Sequence, residues 1–296
     1  MKIAVIGAGK WGMALFNAFS ENNECYITSR TQKPIENFVD LQDALKCDYL
    51  VFAIPTQKTH EWLKNNFKFN DQKILIASKG IDIKSKRFLN EIYEEFVPAS
   101  NLAFLSGPTF AKEVQKKLPC ALVVSSSNLE LADKFCSFFP KFMKAYSSDD
   151  IVGAEVCGAY KNVIAIAGGI CDGLGLGNNA RASLISRGLV EMTRFGKFFG
   201  AKEDTFLGLS GAGDLFLTAS SVLSRNYRVG IGLAKNESLE KILDELGEVA
   251  EGVATSYAIC DISKQKGIYT PIADEVSLML DGKDVYESLE KLLGRR

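Results

Sequence analysis

With 296 residues, 47% of them hydrophobic and no long polar tract, the chain has material for two domains with sizeable cores. A formal net charge of −1 argues against a general binder of nucleic acid or of membrane surfaces. Seven cysteines, widely spaced and without a C-x-x-C pair, speak against a disulfide framework and a cysteine zinc site and fit a reducing cytoplasm.

The first half alternates strand and helix patterns. Residues 2–6 (KIAVI) read as a buried strand, followed at once by Gly7-Ala8-Gly9-Lys10-Trp11-Gly12 and a helical run to about residue 20. Met1-Lys2 and the apolar run resemble the start of a signal peptide, but the glycines and Lys10 interrupt it and no cleavage site follows. The pattern is instead G-x-G-x-x-G between a strand and a helix, the setting a dinucleotide requires. Gly7 permits the tight turn, Gly9 lets the backbone approach a pyrophosphate, and Gly12 allows close helix–strand packing. The helix N-terminus then offers its N–H groups to the phosphates.

Further strands are expected over 25–29, 49–54, 73–77, 101–105, 121–125 and 142–146, with helices between most of them. That alternation predicts a doubly wound, largely parallel sheet of Rossmann type. Where the second strand ends, an NAD-specific site commonly places an acid on the ribose hydroxyls. Here the residues are Ser29-Arg30-Thr31, so Arg30 is expected to meet a 2′-phosphate and NADP(H) to be preferred, with NAD(H) as the alternative. The single histidine, His60, lies beside Glu61 and Trp62 on the helix after the third strand and reads as structural. One histidine cannot make a two-histidine metal motif, and no metal is expected. Carboxyl ends of strands in an open α/β sheet form the ligand crevice, which marks Lys79 in Ser78-Lys79-Gly80, and Gly107 and Thr109 after the fifth strand.

After residue 146 the character changes. Ser147-Ser148-Asp149-Asp150 reads as a hinge and helix cap, placing a boundary between domains 1–148 and 149–296. The second half is expected to be all helical, including helices over 178/179–199, 239–246, 255–266 and 272–280. No apolar run is read as long enough to span a bilayer. Residues 156–170 (VCGAYKNVIAIAGGI) carry one charge, Lys161, on a helix apolar on every side and therefore buried. Its neighbours on that face, Cys157, Gly158, Ile164 and Ala165, cannot pair with an ammonium. A lysine left so would fall from about 10.4 toward roughly 7–8 and suit proton transfer, unless it snorkels or meets a distant carboxylate. Asp214, after the glycine-rich 208–213, reads as a helix cap with Thr218 one turn beyond. Ser224, Arg225 and Asn226 form a dense donor set in which Arg225 can grip a phosphate through two hydrogen bonds.

Taken in order, GAGKWGMAL, SKG, SGPTFAKE, GAYKNVIAIAGG, GLGNNARASLISRGLVEM, GAGDLFLT, SRNYRVG and VAEGVAT resemble the bacterial NAD(P)-dependent glycerol-3-phosphate dehydrogenases over nearly the whole chain. The resemblance implies reversible hydride transfer between NAD(P)H and dihydroxyacetone phosphate, giving sn-glycerol 3-phosphate for phospholipid synthesis. It implies Lys161 as the general acid or base. Lys79, Asp214 and Thr218 would help hold the ketone end, and Gly107 and Thr109 would lie at or near the substrate. Ser224, Arg225 and Asn226 match the phosphate-binding segment. Lys10, Trp11, Arg30, Ala111, Val249 and Glu251 match cofactor positions, with Lys79 and Arg225 near the cofactor as well. A homodimer in the cytoplasm is the accompanying expectation. The segment 31–48 is shorter than the family usually has, near the adenosine end. Two rivals are a lysine-dependent β-hydroxyacid dehydrogenase and a non-catalytic NAD(P)H-binding redox sensor.

Overall fold

A computed structural model describes residues 1–247 and 249–294; Glu248, Arg295 and Arg296, in the second expected domain, lie outside the described residues. Packing divides the chain into two compact units, Met1–Lys79 with Phe88–Ala154, and Gly80–Arg87 with the chain from Glu155 onward.

The first unit is a seven-stranded sheet of β1 (Lys2–Ile6), β2 (Glu24–Thr28), β3 (Tyr49–Phe52), β4 (Lys73–Ile76), β5 (Leu102–Ser106), β6 (Cys120–Ser125) and β7 (Met143–Ser148). The strand order is 2-1-3-4-5-6-7, parallel except where β5 meets β6. Its helices are α1 (Lys10–Phe19), α2 (Leu41–Ala44), α3 (Thr56–Asn66), α4 (Leu89–Tyr93), α5 (Ala111–Gln115) and α6 (Leu129–Cys136). The period-2 geometry of a strand sends alternate side chains into two cores. Ile3, Val5, Val51 and Leu75 pack with α1 and α6 on one face, while Ala4, Ile6, Leu50, Phe52, Ile74 and Ile76 pack with α3 and α4 on the other. Buried on both faces, the inner strands read as apolar runs, as parallel sheets require. Ser147 and Ser148, read from sequence as a hinge, belong to β7 and pair with Val124 and Ser125 of β6. The cap reading holds at Asp150, whose carboxylate accepts from the Gly153 N–H at 2.9 Å.

The second unit is helical: α7 (Ile151–Gly173, entering it at Glu155), α8 (Gly177–Phe198), α9 (Glu203–Leu207), α10 (Asp214–Ala219), α11 (Arg225–Ala234), α12 (Leu239–Leu246), α13 (Glu251–Lys266), α14 (Pro271–Leu280) and α15 (Val285–Leu293). At 23 residues α7 is long and apolar enough to cross a membrane, contrary to the reading from sequence, yet 83% of its most apolar window is buried within the protein. It is the core helix of this unit. Its glycines let neighbours approach backbone to backbone. A Cβ on Gly169 would lie 2.0 Å from the Tyr227 carbonyl of α11, and one on Gly230 would lie 2.0 Å from the Ile166 carbonyl.

Helix α15, absent from the sequence expectation, is fastened by a buried carboxylate. Glu275 on α14 is fully buried and pairs with Lys283 and Lys291, each at 2.7 Å. Burial pushes the Glu275 carboxyl up, but the hydrogen bonds from the two lysines outweigh it and hold it below its ordinary 4.5. Because the folded value is depressed, this stabilisation is present above about pH 4.5 and fades as pH falls through the folded value. Glu275→Gln is therefore expected to lose about 1–3 kcal/mol in urea denaturation at pH 7, with the deficit shrinking toward pH 3. A deficit independent of pH would contradict the ion-pair account.

Candidate active site

Within the first unit, the carboxyl ends of β1, β3, β4 and β5 are laced together around the glycine-rich turn. Gly7 has a φ of +113°, and a Cβ there would stand 2.5 Å from the Ala53 carbonyl at the end of β3. A Cβ on Gly12 would fall 1.8 Å from the Gly7 carbonyl. Both glycines are demanded by the fold. Gly9 is not: its φ of −74° and ψ of −179° suit any residue, and a Cβ there would meet nothing within 4 Å. Glycine at that position leaves room for a ligand against the N-terminus of α1, which has no side-chain cap and no acid in its first turn. NAD(P), whose pyrophosphate needs backbone N–H groups and a close approach, fits this cradle.

Lys10, exposed, and Trp11, half-buried, open α1; the Trp11 indole N–H donates to the Ala77 carbonyl at 3.1 Å. Ser78 donates to the Ile54 carbonyl at 2.5 Å, and Thr56 to the Lys79 carbonyl at 2.7 Å, fixing the backbone that carries Lys79. The Lys79 ammonium lies 3.5 Å from the Gly107 carbonyl, which also accepts from Thr109 at 3.4 Å. Lys79, Gly107 and Thr109 thus form one neighbourhood. Gly107 is required there on its own account: its φ is +111° and a Cβ would lie 2.9 Å from the Leu122 backbone. Ala111 starts α5 and packs against the same core as Trp11. Arg30 stands exposed just past β2. His60 is a surface residue bonded to Glu95 at 3.0 Å.

The second unit gathers three of the expected residues in its interior. Lys161, 7% exposed on the buried α7, donates to Asp214 at 2.5 Å and to Thr218 at 3.0 Å, and Thr218 donates to Asp214 at 3.1 Å. A carboxylate 53 positions away in sequence pairs with Lys161. Of the alternatives the sequence leaves open, this is the distant carboxylate. Burial strips water from both groups, and the carboxylate stands as counter-charge to the ammonium. Asp214 is presented by the glycine-rich turn that precedes it in sequence. Leu209–Gly213 forms a π-helical turn running directly into α10, a geometry that recurs at functional sites. A Cβ on Gly211 would meet the Phe206 carbonyl at 2.2 Å, so the turn needs that glycine. Next to Lys161, the Tyr160 hydroxyl donates to Glu191 at 2.8 Å, and Glu191 also accepts from the Ile272 and Ala273 N–H groups. Burial pushes the Glu191 carboxyl up against those hydrogen bonds. This contact ties α7 to α8 and to the start of α14.

Ser224, Arg225 and Asn226 form a helix start rather than a loop. The Ser224 oxygen caps α11 by accepting from the Tyr227 N–H at 3.3 Å, and Arg225 opens the helix. The Asn226 side-chain oxygen accepts from the Gly252 N–H at 2.9 Å, which commits the oxygen and leaves the amide N–H donors for a ligand. Gly252 sits so tightly that a Cβ would lie 2.8 Å from both the Asn162 carbonyl and the Asn226 oxygen. Glu251 and Val249 precede it, Val249 being 60% exposed. Sequence reading missed the role of Gly252, although its place in VAEGVAT beside two expected residues was the available signal.

A Rossmann-type sheet with a glycine cradle after its first strand is the architecture of NAD(P)-dependent oxidoreductases. A family model for the NAD-dependent glycerol-3-phosphate dehydrogenase N-terminus matches residues 26–132, and the model for its C-terminus matches 150–290. The chain is 63% identical over 296 residues to glycerol-3-phosphate dehydrogenase (NAD(P)+) of Campylobacter lari, covering 100% of this chain and 99% of that one. It is 61% identical over 292 residues to that of Sulfurimonas denitrificans, 99% of each chain. The crystal structure of glycerol-3-phosphate dehydrogenase from Coxiella burnetii superposes with a TM-score of 0.89 at 30% identity over 99% of each chain. The chain belongs to the NAD-dependent glycerol-3-phosphate dehydrogenase family. Membership sets aside the β-hydroxyacid alternative.

The three glycines of the cradle generate a contrast. Gly9→Val is expected to leave the thermal midpoint within about 2 °C while weakening NADH binding by roughly tenfold or more. Gly12→Ala is expected to lower the midpoint itself by several degrees, about 1–3 kcal/mol, through overpacking. Fluorescence titration and thermal denaturation of the two variants check this; undiminished binding by Gly9→Val would refute the cradle.

Proposed function

We propose that Lys161 is the proton donor and acceptor of the reaction the family carries out, the reversible conversion of dihydroxyacetone phosphate and NAD(P)H to sn-glycerol 3-phosphate and NAD(P)+. The observation that carries this reading is the buried Lys161–Asp214–Thr218 cluster. The cofactor, when bound, supplies the hydride to the carbonyl carbon. The Lys161 ammonium transfers a proton to the carbonyl oxygen as that oxygen becomes an alkoxide, and in the reverse direction the neutral amine removes it. Asp214 keeps the lysine charged until that moment, and Thr218 fixes the direction of the ammonium by taking a second N–H. Lys79, Gly107 and Thr109 are assigned to the substrate, with the Lys79 cation also favouring the alkoxide. Ser224, Arg225 and Asn226 are assigned to the phosphate, through a charged fork, an amide and a hydroxyl at the start of α11. Lys79 and Arg225 serve the cofactor as well, together with Gly7, Gly9, Lys10, Trp11, Gly12, Arg30, Ala111, Val249 and Glu251.

In this reading residues 1–148 handle the cofactor and 149–296 the substrate. The exposed Arg30, with no acid in Ser29-Arg30-Thr31, supports NADP(H) as the preferred cofactor. Supply of glycerol 3-phosphate for phospholipid synthesis, in the cytoplasm and as a homodimer, completes the proposal.

Oxidation of NADPH and NADH by purified protein, with dihydroxyacetone phosphate and with unphosphorylated dihydroxyacetone, tests the reading. Turnover is expected only with the phosphorylated ketone and faster with NADPH; cofactor binding without turnover would favour the sensor. Lys161→Ala is expected to lower kcat by about a thousandfold or more while NADPH binding persists, and activity within about tenfold of the parent would remove its role. Arg225→Ala is expected to raise KM for the phosphorylated ketone by about ten- to a hundredfold, and an unchanged KM would take it out of the phosphate site.

A further inference from the structure

The segment after Arg30 is anchored to the sheet at both ends. It turns back along β2, the edge strand of the sheet, where Ile27 donates to the Asn37 carbonyl at 3.1 Å and accepts from the Val39 N–H at 3.0 Å. Ile35 and Phe38 pack against the core that holds α1. Ser29 closes the turn at the start of the segment by donating to the Thr31 carbonyl at 2.7 Å. Lys33 is thereby suspended between two anchored points, and its ammonium donates to the Ala8 carbonyl at 2.5 Å. Ala8 is the residue between the first two glycines of the cradle. Among the described residues, Lys33 has no carboxylate partner, and neither has Arg30. Two cations without counter-charges thus flank the end of β2, and Lys33 retains two N–H donors beyond the one given to Ala8.

We infer that Lys33 is a specificity residue for the cofactor, binding the 2′-phosphate of the adenosine ribose together with Arg30. The end of the second strand is where the ribose hydroxyls lie in this fold, and the Ala8 hydrogen bond holds the ammonium on that side of the cradle. A dianionic phosphate supplies the counter-charge both cations lack, and it meets a lysine whose position is already set by a backbone contact.

This inference rests on the NADP(H) reading, and calorimetric binding of adenosine 2′,5′-bisphosphate and of 5′-AMP separates the two. The ligands differ only in the 2′-phosphate. The parent protein is expected to prefer the bisphosphate; equal binding would overturn the NADP(H) reading and this inference with it. Given that preference, Lys33→Ala is expected to weaken the bisphosphate by about ten- to a hundredfold, leaving 5′-AMP within about twofold, and Lys33→Arg is expected to restore the difference. Preference retained by Lys33→Ala, or equal losses for both ligands, would overturn the Lys33 assignment while leaving the NADP(H) reading intact.

Discussion

Lys161 and Asp214 lose their water together, and the second unit is organised around that. Burying either charge alone costs several kcal/mol, and their attraction offsets this only in good geometry with the remaining hydrogen-bonding groups engaged. Thr218 contributes that engagement by donating to the carboxylate while accepting from the ammonium. The geometry in turn depends on two features without charge. One is the π-helical turn that aims Asp214; the other is the glycine-lined face of α7, which allows α11 to cross it at backbone distance. A well-packed apolar trio would serve stability as well or better. Stability alone therefore does not account for the pair, in keeping with the catalytic role proposed for Lys161.

The first unit solves a different problem with the same economy of side chains. Gly7 and Gly12 are glycines because backbone atoms stand where a Cβ would be, whereas Gly9 is glycine where the protein leaves space. Around that space, side-chain hydrogen bonds from Trp11, Ser78 and Thr56 to backbone carbonyls fix the loops. The polar side chains brace the cradle, and the backbone is left to meet an anion.

Features with a local cause were legible in the sequence. Alternating and continuous apolar runs marked the strands of the sheet, three glycines at fixed spacing marked the turn, and an apolar surface on every side marked α7 as buried. What stayed hidden was set by residues distant in sequence. Asp214 could be read as a cap but not as the partner of Lys161, because nothing near either residue encodes a separation of 53 positions. Ser147 and Ser148 look like a hinge by propensity, yet pairing with β6 overrides that preference. Ser224 to Asn226 read as a set of donors, but that Ser224 caps α11 emerges only from the fold. The strap Gly80–Arg87 gave no sign that it packs with the helical unit, where Lys86 pairs with Asp261 at 2.9 Å. Among candidate site residues, chemistry was legible from type and spacing, while its electrostatic setting required the fold.

The account stands or falls on the charge of Lys161 being governed by Asp214. The most direct test is the pH dependence of kcat/KM for ketone reduction in the parent and in Asp214→Asn. Loss of the carboxylate removes the group that favours the ammonium, so the alkaline limb of the profile, where the proton donor is lost, should move to lower pH. Lower activity with the alkaline limb unmoved would mean that Asp214 acts only in packing and that Lys161 is not the titrating proton donor.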